Sequence, residues 1–404
     1  AMAAVGSNGV IISILVGLFL GISVGANVVI ANYIGQRNDR GIRRAIATVG
    51  VITLASGILL LTLGVLLARP ILEMMSAPPD VIDMASTYLR IYFLGMPFIM
   101  VYNFGSSILR SIGDTTRPFY SLLVATAVNA VLDWFFVARL GMGVDGVAIA
   151  TVIANIVNAG IIVWILMRLP EPYTLHPRHI GIDSNDLSKM LKIGVPAGLQ
   201  GMIFSFSNIF IQTEINKFGA SAIAGSAAAV TFEAYCYFIV TAFCTAAIAF
   251  TGQNFGAGLN DRCKRVFRIC MAMALVGCAT ANILVTLNAN FCVGLFSSDP
   301  TVLEYAKIRF HTVLMFQFLA ATYEVSGAYM RGLGYSMLPM ILTIFGTCIL
   351  RLVWVFVVAT HTRDFATLLY IYPITWTITG IMVTTAAIIT QRKAFRLHPG
   401  TVHT

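Results

Sequence analysis

Apolar runs recur along nearly the whole chain, near residues 5–32, 45–68, 84–108, 118–138, 144–168, 190–216, 220–252, 266–288, 302–329, 336–359 and 366–390. Each is long enough, at roughly 20 residues or more, to cross a hydrocarbon core about 30 Å thick as a helix. Charged residues are only 11% of the 404, and hydrophobic ones are 58%. A soluble domain carries about 25% charged residues, so this chain has too few to cover a soluble globule. The expected fold is therefore all-α and polytopic, with eleven helices in two bundles and lipid as the solvent.

The net charge of +9 could suggest nucleic acid, but the basic residues form no stripe. They sit in short clusters between apolar runs. Arg37, Arg40, Arg43, Arg44, Arg110, Arg117, Lys189, Lys192, Arg262, Lys264, Arg265, Arg331 and Arg392 fall on alternate loops, which marks the cytoplasmic side and puts the C-terminal tail (393–404) there. Arg69, Arg90, Arg139, Lys217, Lys307, Arg309 and Arg363 fall to the opposite side. The expected location is the cell inner membrane, with the bilayer as partner and no nucleic acid. Seven scattered Cys form no Cys-x-x-Cys pair and read as small buried residues. No metal-ligand spacing joins the six His. The one long polar connection, 169–189, separates an N-terminal lobe (1–168) from a C-terminal lobe (190–392). An odd number of helices, an external start and an opening on Ala1 lead to the expectation that a first helix precedes this sequence.

The two lobes repeat each other. Tyr33-Ile-Gly-Gln-Arg-Asn-Asp-Arg40 is similar to Thr251-Gly-Gln-Asn-Phe-Gly-Ala-Gly-Leu-Asn-Asp-Arg262, and Leu109-Arg110-Ser-Ile-Gly113 matches Met330-Arg331-Gly-Leu-Gly334. Arg110 and Arg331 are 221 residues apart, Gln36 and Gln253 217. Parallel repeats of this kind are typical of alternating-access transporters, whose sites lie near the repeat interface. Arg110 and Arg331 are expected to hold cytoplasmic helix ends.

With these motifs in order, followed by Gly141-Met-Gly-Val-Asp145-Gly146 and Gly194-Val-Pro196, the chain resembles the multidrug and toxic compound extrusion (MATE) transporters over essentially its full length, apart from their first helix. Glu233 in Thr-Phe-Glu-Ala-Tyr, with Gly252-Gln253-Asn254, is most similar to the DinF-type prokaryotic branch. The resemblance implies a twelve-helix, two-lobed antiporter, not an enzyme, that exports drug-like or metabolite molecules against inward H⁺ or Na⁺. It implies no cofactor beyond that coupling ion, cationic or amphipathic small-molecule substrates, and a monomer.

Ionisable groups inside spans cost about 2.5–3.5 kcal/mol each on insertion scales, so each needs a reason. Asn129 and Asp133 lie four apart on one helical face. In DinF-type relatives the matching pair, with a Thr at the place of Thr151, resembles a cation or proton site; the alternative is an Asp133 that only caps or is solvated. The family's acidic residue on its first helix has no counterpart in this sequence. Glu233 and Glu324 either face a cavity or make structural hydrogen bonds. Arg351, alone in its span, could pair with Glu324. Gln200, Phe204, Ser207, Asn208 and Gln212 recur at helical spacing after Pro196 and form a candidate substrate face.

A flippase for lipid-linked saccharide precursors is the alternative within transport, and it needs a strongly cationic cavity for pyrophosphate. No His-Glu-x-x-His, Gly-x-Ser-x-Gly or Walker motif supports a membrane enzyme, so no catalytic residue is expected. No filter-like loop supports a channel.

Overall fold

The computed structural model describes residues 2–74, 79–359 and 364–398; the tail beyond His398, with His403, and the stretch holding His361 and Arg363 lie outside the described residues. The described chain is helical throughout its ordered elements, with no strand among the described residues. It divides into two compact units, Ala1–Gly198 and Leu199–Thr404.

The first unit holds α1 (Met2–Gly35), α2 (Asp39–Met74), α3 (Pro79–Leu94), α4 (Met96–Ser111), α5 (Thr116–Trp134), α6 (Val144–Met167) and the first half of α7 (Ser184–Asn216). The second holds the rest of α7, then α8 (Ala220–Gly256), α9 (Asn260–Leu287), α10 (Ala289–Gly294), α11 (Pro300–Thr312), α12 (Ala320–Gly332), α13 (Met337–Thr343), α14 (Leu350–Trp354), α15 (Phe365–Leu369) and α16 (Ile371–Leu397). Nine helices among the described residues are long and apolar enough to span a bilayer, and α3 with α4, bent by 45°, makes a tenth. The remaining predicted span, 302–329, is helical but broken into α11, a 3₁₀ segment (Leu314–Leu319) and α12. Large apolar side chains such as Leu66, Val276, Leu287 and Phe291 stand mostly exposed on the outer faces, as a lipid solvent requires rather than forbids.

The repeat is visible in local geometry, unit by unit. In the first unit, α4 ends where the Gly113 N–H bonds to the Arg110 carbonyl and the Asp114 N–H to that of Leu109, with Gly113 at φ 88°. In the second, α12 ends with the Gly334 N–H on Arg331 and the Tyr335 N–H on Met330, with Gly334 at φ 90°. Both are Schellman closures, which need a left-handed residue. The earlier station repeats too: Arg37 (φ 53°) and Gly258 (φ 71°) occupy the left-handed position after α1 and α8. The bent pair α3 and α4, where Gly95 precedes Pro97 at the start of α4, has its counterpart in the broken α11 and α12. The next span carries π-helical turns in both units, at Phe135–Arg139 and at Ile344–Ile349 and Val355–Ala359. Such turns arise at strained or functional places in helices.

Inside the first unit, α1 and α7 touch backbone to backbone. A Cβ on Gly21 would lie 2.1 Å from the Gly198 nitrogen, and one on Gly25 2.1 Å from the Met190 carbonyl oxygen, so only glycine permits the approach. The expected 169–189 connection gives way to α7 at Ser184, and the first turns of α7 pack onto α1 and α2. Fully buried Asp186 accepts from the Tyr33 hydroxyl (2.6 Å) and the Arg44 guanidinium (2.7 Å), and Lys189 donates to the same Tyr33 oxygen at 3.0 Å. His176 is half exposed and sits 2.6 Å from Glu171.

Candidate functional site

In the second unit, α8 and α11 run side by side in the same direction. A Cβ on Gly225 would come within 2.5 Å of the Val302 carbonyl oxygen, so the two backbones close up there. Ser226 and Glu233, seven residues apart on one face of α8, then both reach Arg309 on α11. The Arg309 Nε and Nη2 donate to the two Glu233 carboxylate oxygens at 2.6 and 3.0 Å, and Nη1 donates to the Ser226 hydroxyl at 2.9 Å. Arg309 is 4% exposed and Glu233 9%. The 3₁₀ segment aims Gln317 inward, where its amide donates to the Glu233 backbone carbonyl at 3.0 Å.

A cavity of about 300 Å³ opens beside this pair, bounded by α7, α8, α11, α12, α14 and α16. Arg351, on the short α14 between two π-helical stretches, is fully buried. Its guanidinium centre lies 4.5 Å from the Tyr372 ring centroid and 5.1 Å from that of Phe204. Its Nη1 donates to the Asn208 side-chain oxygen at 2.9 Å, while Nε and Nη2 are buried with no acceptor. Tyr372 also faces Arg309 at 5.5 Å, so one ring is shared by two guanidinium groups, an arrangement the ring quadrupole favours.

Of the expected substrate face, the structure gathers Phe204, Asn208 and Gln212 at this cavity. Gln200 instead accepts from Arg331 at 2.6 Å, and Ser207 is buried beside Cys348. Glu233 is at the cavity wall. Glu324 is half-buried beside Tyr237 and Arg331 and makes no ion pair with Arg351, whose bond goes to Asn208. Arg331 sits in the last turn of α12 as expected, but its bond is to the Gln200 side chain at 2.6 Å rather than to a helix carbonyl, and it is buried beside Glu324. Arg309 corrects the sequence reading more sharply: assigned to an external loop, it is a buried cation in α11. Its partner lies 76 residues away, so no local signal announced it. Tyr372, Trp376 and Gln317 were missed for the same reason.

In the first unit, Asn129 and Asp133 share a half-buried face of α5. The Asn129 Nδ2 and the Asp133 Oδ1 are buried without a partner, and Asp133 is close enough to Tyr88 of α3 to act on it electrostatically. Thr151 is on the neighbouring α6, with its hydroxyl bonded to the Val147 carbonyl at 2.9 Å. No hydrogen bond joins it to Asn129 or Asp133 among the described residues. No cluster of three or more His, Cys, Asp or Glu able to hold a metal exists among the described residues.

Against known proteins, the MatE family profile matches residues 1–135 and 196–357. The chain belongs to the MatE family. The resemblance drawn from its motifs is thereby borne out, and with it the status of a multi-span membrane transporter of small molecules rather than a member of an enzyme family. "Probable multidrug resistance protein YoeA" of Bacillus subtilis is 27% identical over 370 residues, covering 90% of this chain and 80% of that protein. "Probable multidrug resistance protein NorM" of Thermotoga maritima is 25% identical over 365 residues, covering 89% of this chain and 78% of that one. A solved structure, the outward-facing conformation of a multidrug resistance MATE family transporter, superposes with a TM-score of 0.91 at 21% identity, over 98% of this chain and 89% of that chain.

Proposed function

We propose that this protein is a secondary active antiporter of the inner membrane, with a cytoplasmic C-terminus, that exports small amphipathic molecules by alternating access in exchange for H⁺ or Na⁺. Family membership supports export, and one observation supports the coupling: the Asp133 carboxylate and the Asn129 amide present buried, unpartnered polar atoms on the same face of α5. Such an acceptor is costly when left without a partner, and a proton or a Na⁺ relieves that cost. When the pocket is hydrated the carboxylate releases its ion; when it is closed to water it holds one. Moving one charge through 100 mV supplies about 2.3 kcal/mol per cycle. Thr151 contributes a neutral oxygen from α6 if its helix approaches.

The lipid-linked saccharide flippase is less well supported. Its cavity needs several free cations for pyrophosphate, whereas Glu233 ties up Arg309. The test is efflux from proteoliposomes loaded with ethidium, with a pH or a Na⁺ gradient imposed in turn. Asp133→Asn abolishes gradient-driven efflux and leaves the amount of folded protein unchanged. Wild-type rates from that variant overturn the coupling assignment.

A further inference from the structure

Among the described residues of the second unit, three arginines are buried, Arg309, Arg331 and Arg351. Two carboxylates stand by them. Glu233 grips Arg309 with both oxygens, and Glu324 lies beside Arg331. Arg351 is left with a neutral amide and two aromatic faces. Its planar fork presents five N–H donors and cannot give up its proton. One nitrogen is satisfied by Asn208; the Nε and Nη2 edge, suited to a two-oxygen acceptor, is unmet. A buried cation without a counter-charge is expensive, and it persists where something else supplies the charge.

We infer that the cavity beside Arg351 binds the anionic head of a small aromatic solute, a carboxylate or a phosphate on the unmet Nε and Nη2 edge of the buried guanidinium, with its ring among the cavity's aromatic side chains. The Arg351 edge provides the parallel two-bond geometry such oxygens take. Tyr323, Tyr372 and Trp376 line the same space and offer flat apolar faces. A volume of about 300 Å³ lies at the small end of ligand sites, which suits a single ring with its acid group. The sequence led to an expectation of cationic or amphipathic cargo; the charge count here selects the anionic members of the amphipathic class. As a substrate site this rests on the export reading above, but the binding itself does not.

The test uses the purified full chain in detergent, in chloride-free buffer, with Trp fluorescence and calorimetry as readouts. The probes are benzoate, phenyl phosphate, the neutral isostere benzamide, the cation benzyltrimethylammonium, and chloride alone. Benzoate or phenyl phosphate binds saturably, and the tighter of the two names the acid group. Benzamide and benzyltrimethylammonium bind at least about 30-fold more weakly, the scale on which a buried charge partner is lost. Asn208→Asp changes one atom and places a carboxylate against Arg351, so the site neutralises itself: binding of both acids falls at least about 30-fold while the protein stays monodisperse and melts no lower. Arg351→Met gives the same loss of binding by removing the cation. Equal binding of benzamide, equal protection by chloride, no binding of either acid, or Asn208→Asp binding within about 3-fold of the parent each overturns the inference. Ethidium efflux without acid binding removes the anion site and leaves the export reading; acid binding without gradient-driven efflux of any probe does the reverse.

Discussion

Glu233→Gln tests how far the buried pair on α8 and α11 holds the second unit together. The substitution keeps the shape of the side chain but removes its charge and turns one oxygen into an N–H₂ donor. The bond at 2.6 Å can survive on the remaining oxygen, while the one at 3.0 Å becomes donor against donor. Arg309, 4% exposed, then stays charged with Ser226, the Tyr372 ring and half its former partner. Breaking a buried pair from one side costs about 3–5 kcal/mol, and the surviving bond places this case near 3 kcal/mol. Against a total of about 5–15 kcal/mol, such a loss is easily resolved by equilibrium unfolding in mixed SDS micelles. The double variant Glu233→Leu with Arg309→Met removes both charges and returns to within about 1 kcal/mol of the parent, since an apolar replacement of an ion pair is near neutral. A single variant that loses less than about 1 kcal/mol, or a double variant no more stable than the single, would refute the reasoning.

Two further outcomes follow from backbone geometry. Arg37→Gly relieves a left-handed residue, at about 1–2 kcal/mol, against a glycine entropy cost of about 0.5–1 kcal/mol; a net gain near 0.5–1 kcal/mol is expected in the same unfolding assay, and a loss contradicts it. Gly21→Val drives a side chain into the Gly198 backbone, 2.1 Å from where its Cβ would sit, and destabilises by about 3 kcal/mol or more, seen as loss of protease resistance in the first unit. Gly160→Ala, whose Cβ meets nothing within 4 Å, is its control and gains up to about 1 kcal/mol through helix propensity; equal behaviour of the two glycines contradicts the close approach.

The helical class was legible because lipid demands it: apolar runs of spanning length admit few other folds. The repeat was legible because its stations are glycine motifs whose closures depend on local backbone, so Gly113 and Gly334 could be matched by eye and then share a conformation. The breaks within spans were hidden, since 302–329 reads as one apolar run, while the structure interrupts it with the 3₁₀ segment that carries Gln317. At the site, Phe204, Asn208 and Gln212 followed from helical spacing on one element. Arg309 did not, because positive-inside reasoning assigns a basic residue near a helix end to water, and only the carboxylate on another helix reverses that. Gln200 was placed on the right face but spent on Arg331, a partner 131 residues away.

The same Glu233 and Arg309 pair sets an order on how the chain enters its membrane. Chains emerge from the N-terminal end, so α8 reaches the bilayer 76 residues before its partner is made. The member that arrives first is the acid, and a carboxyl can take up a proton and wait uncharged in lipid. A guanidinium has no such option. With the sequence order reversed, a permanent cation would stand alone in hydrocarbon during synthesis. Arg351, which does arrive charged, enters after Phe204 and Asn208 are already in place and only 21 residues ahead of Tyr372, so the chain supplies each arginine's company before, or almost with, the arginine itself.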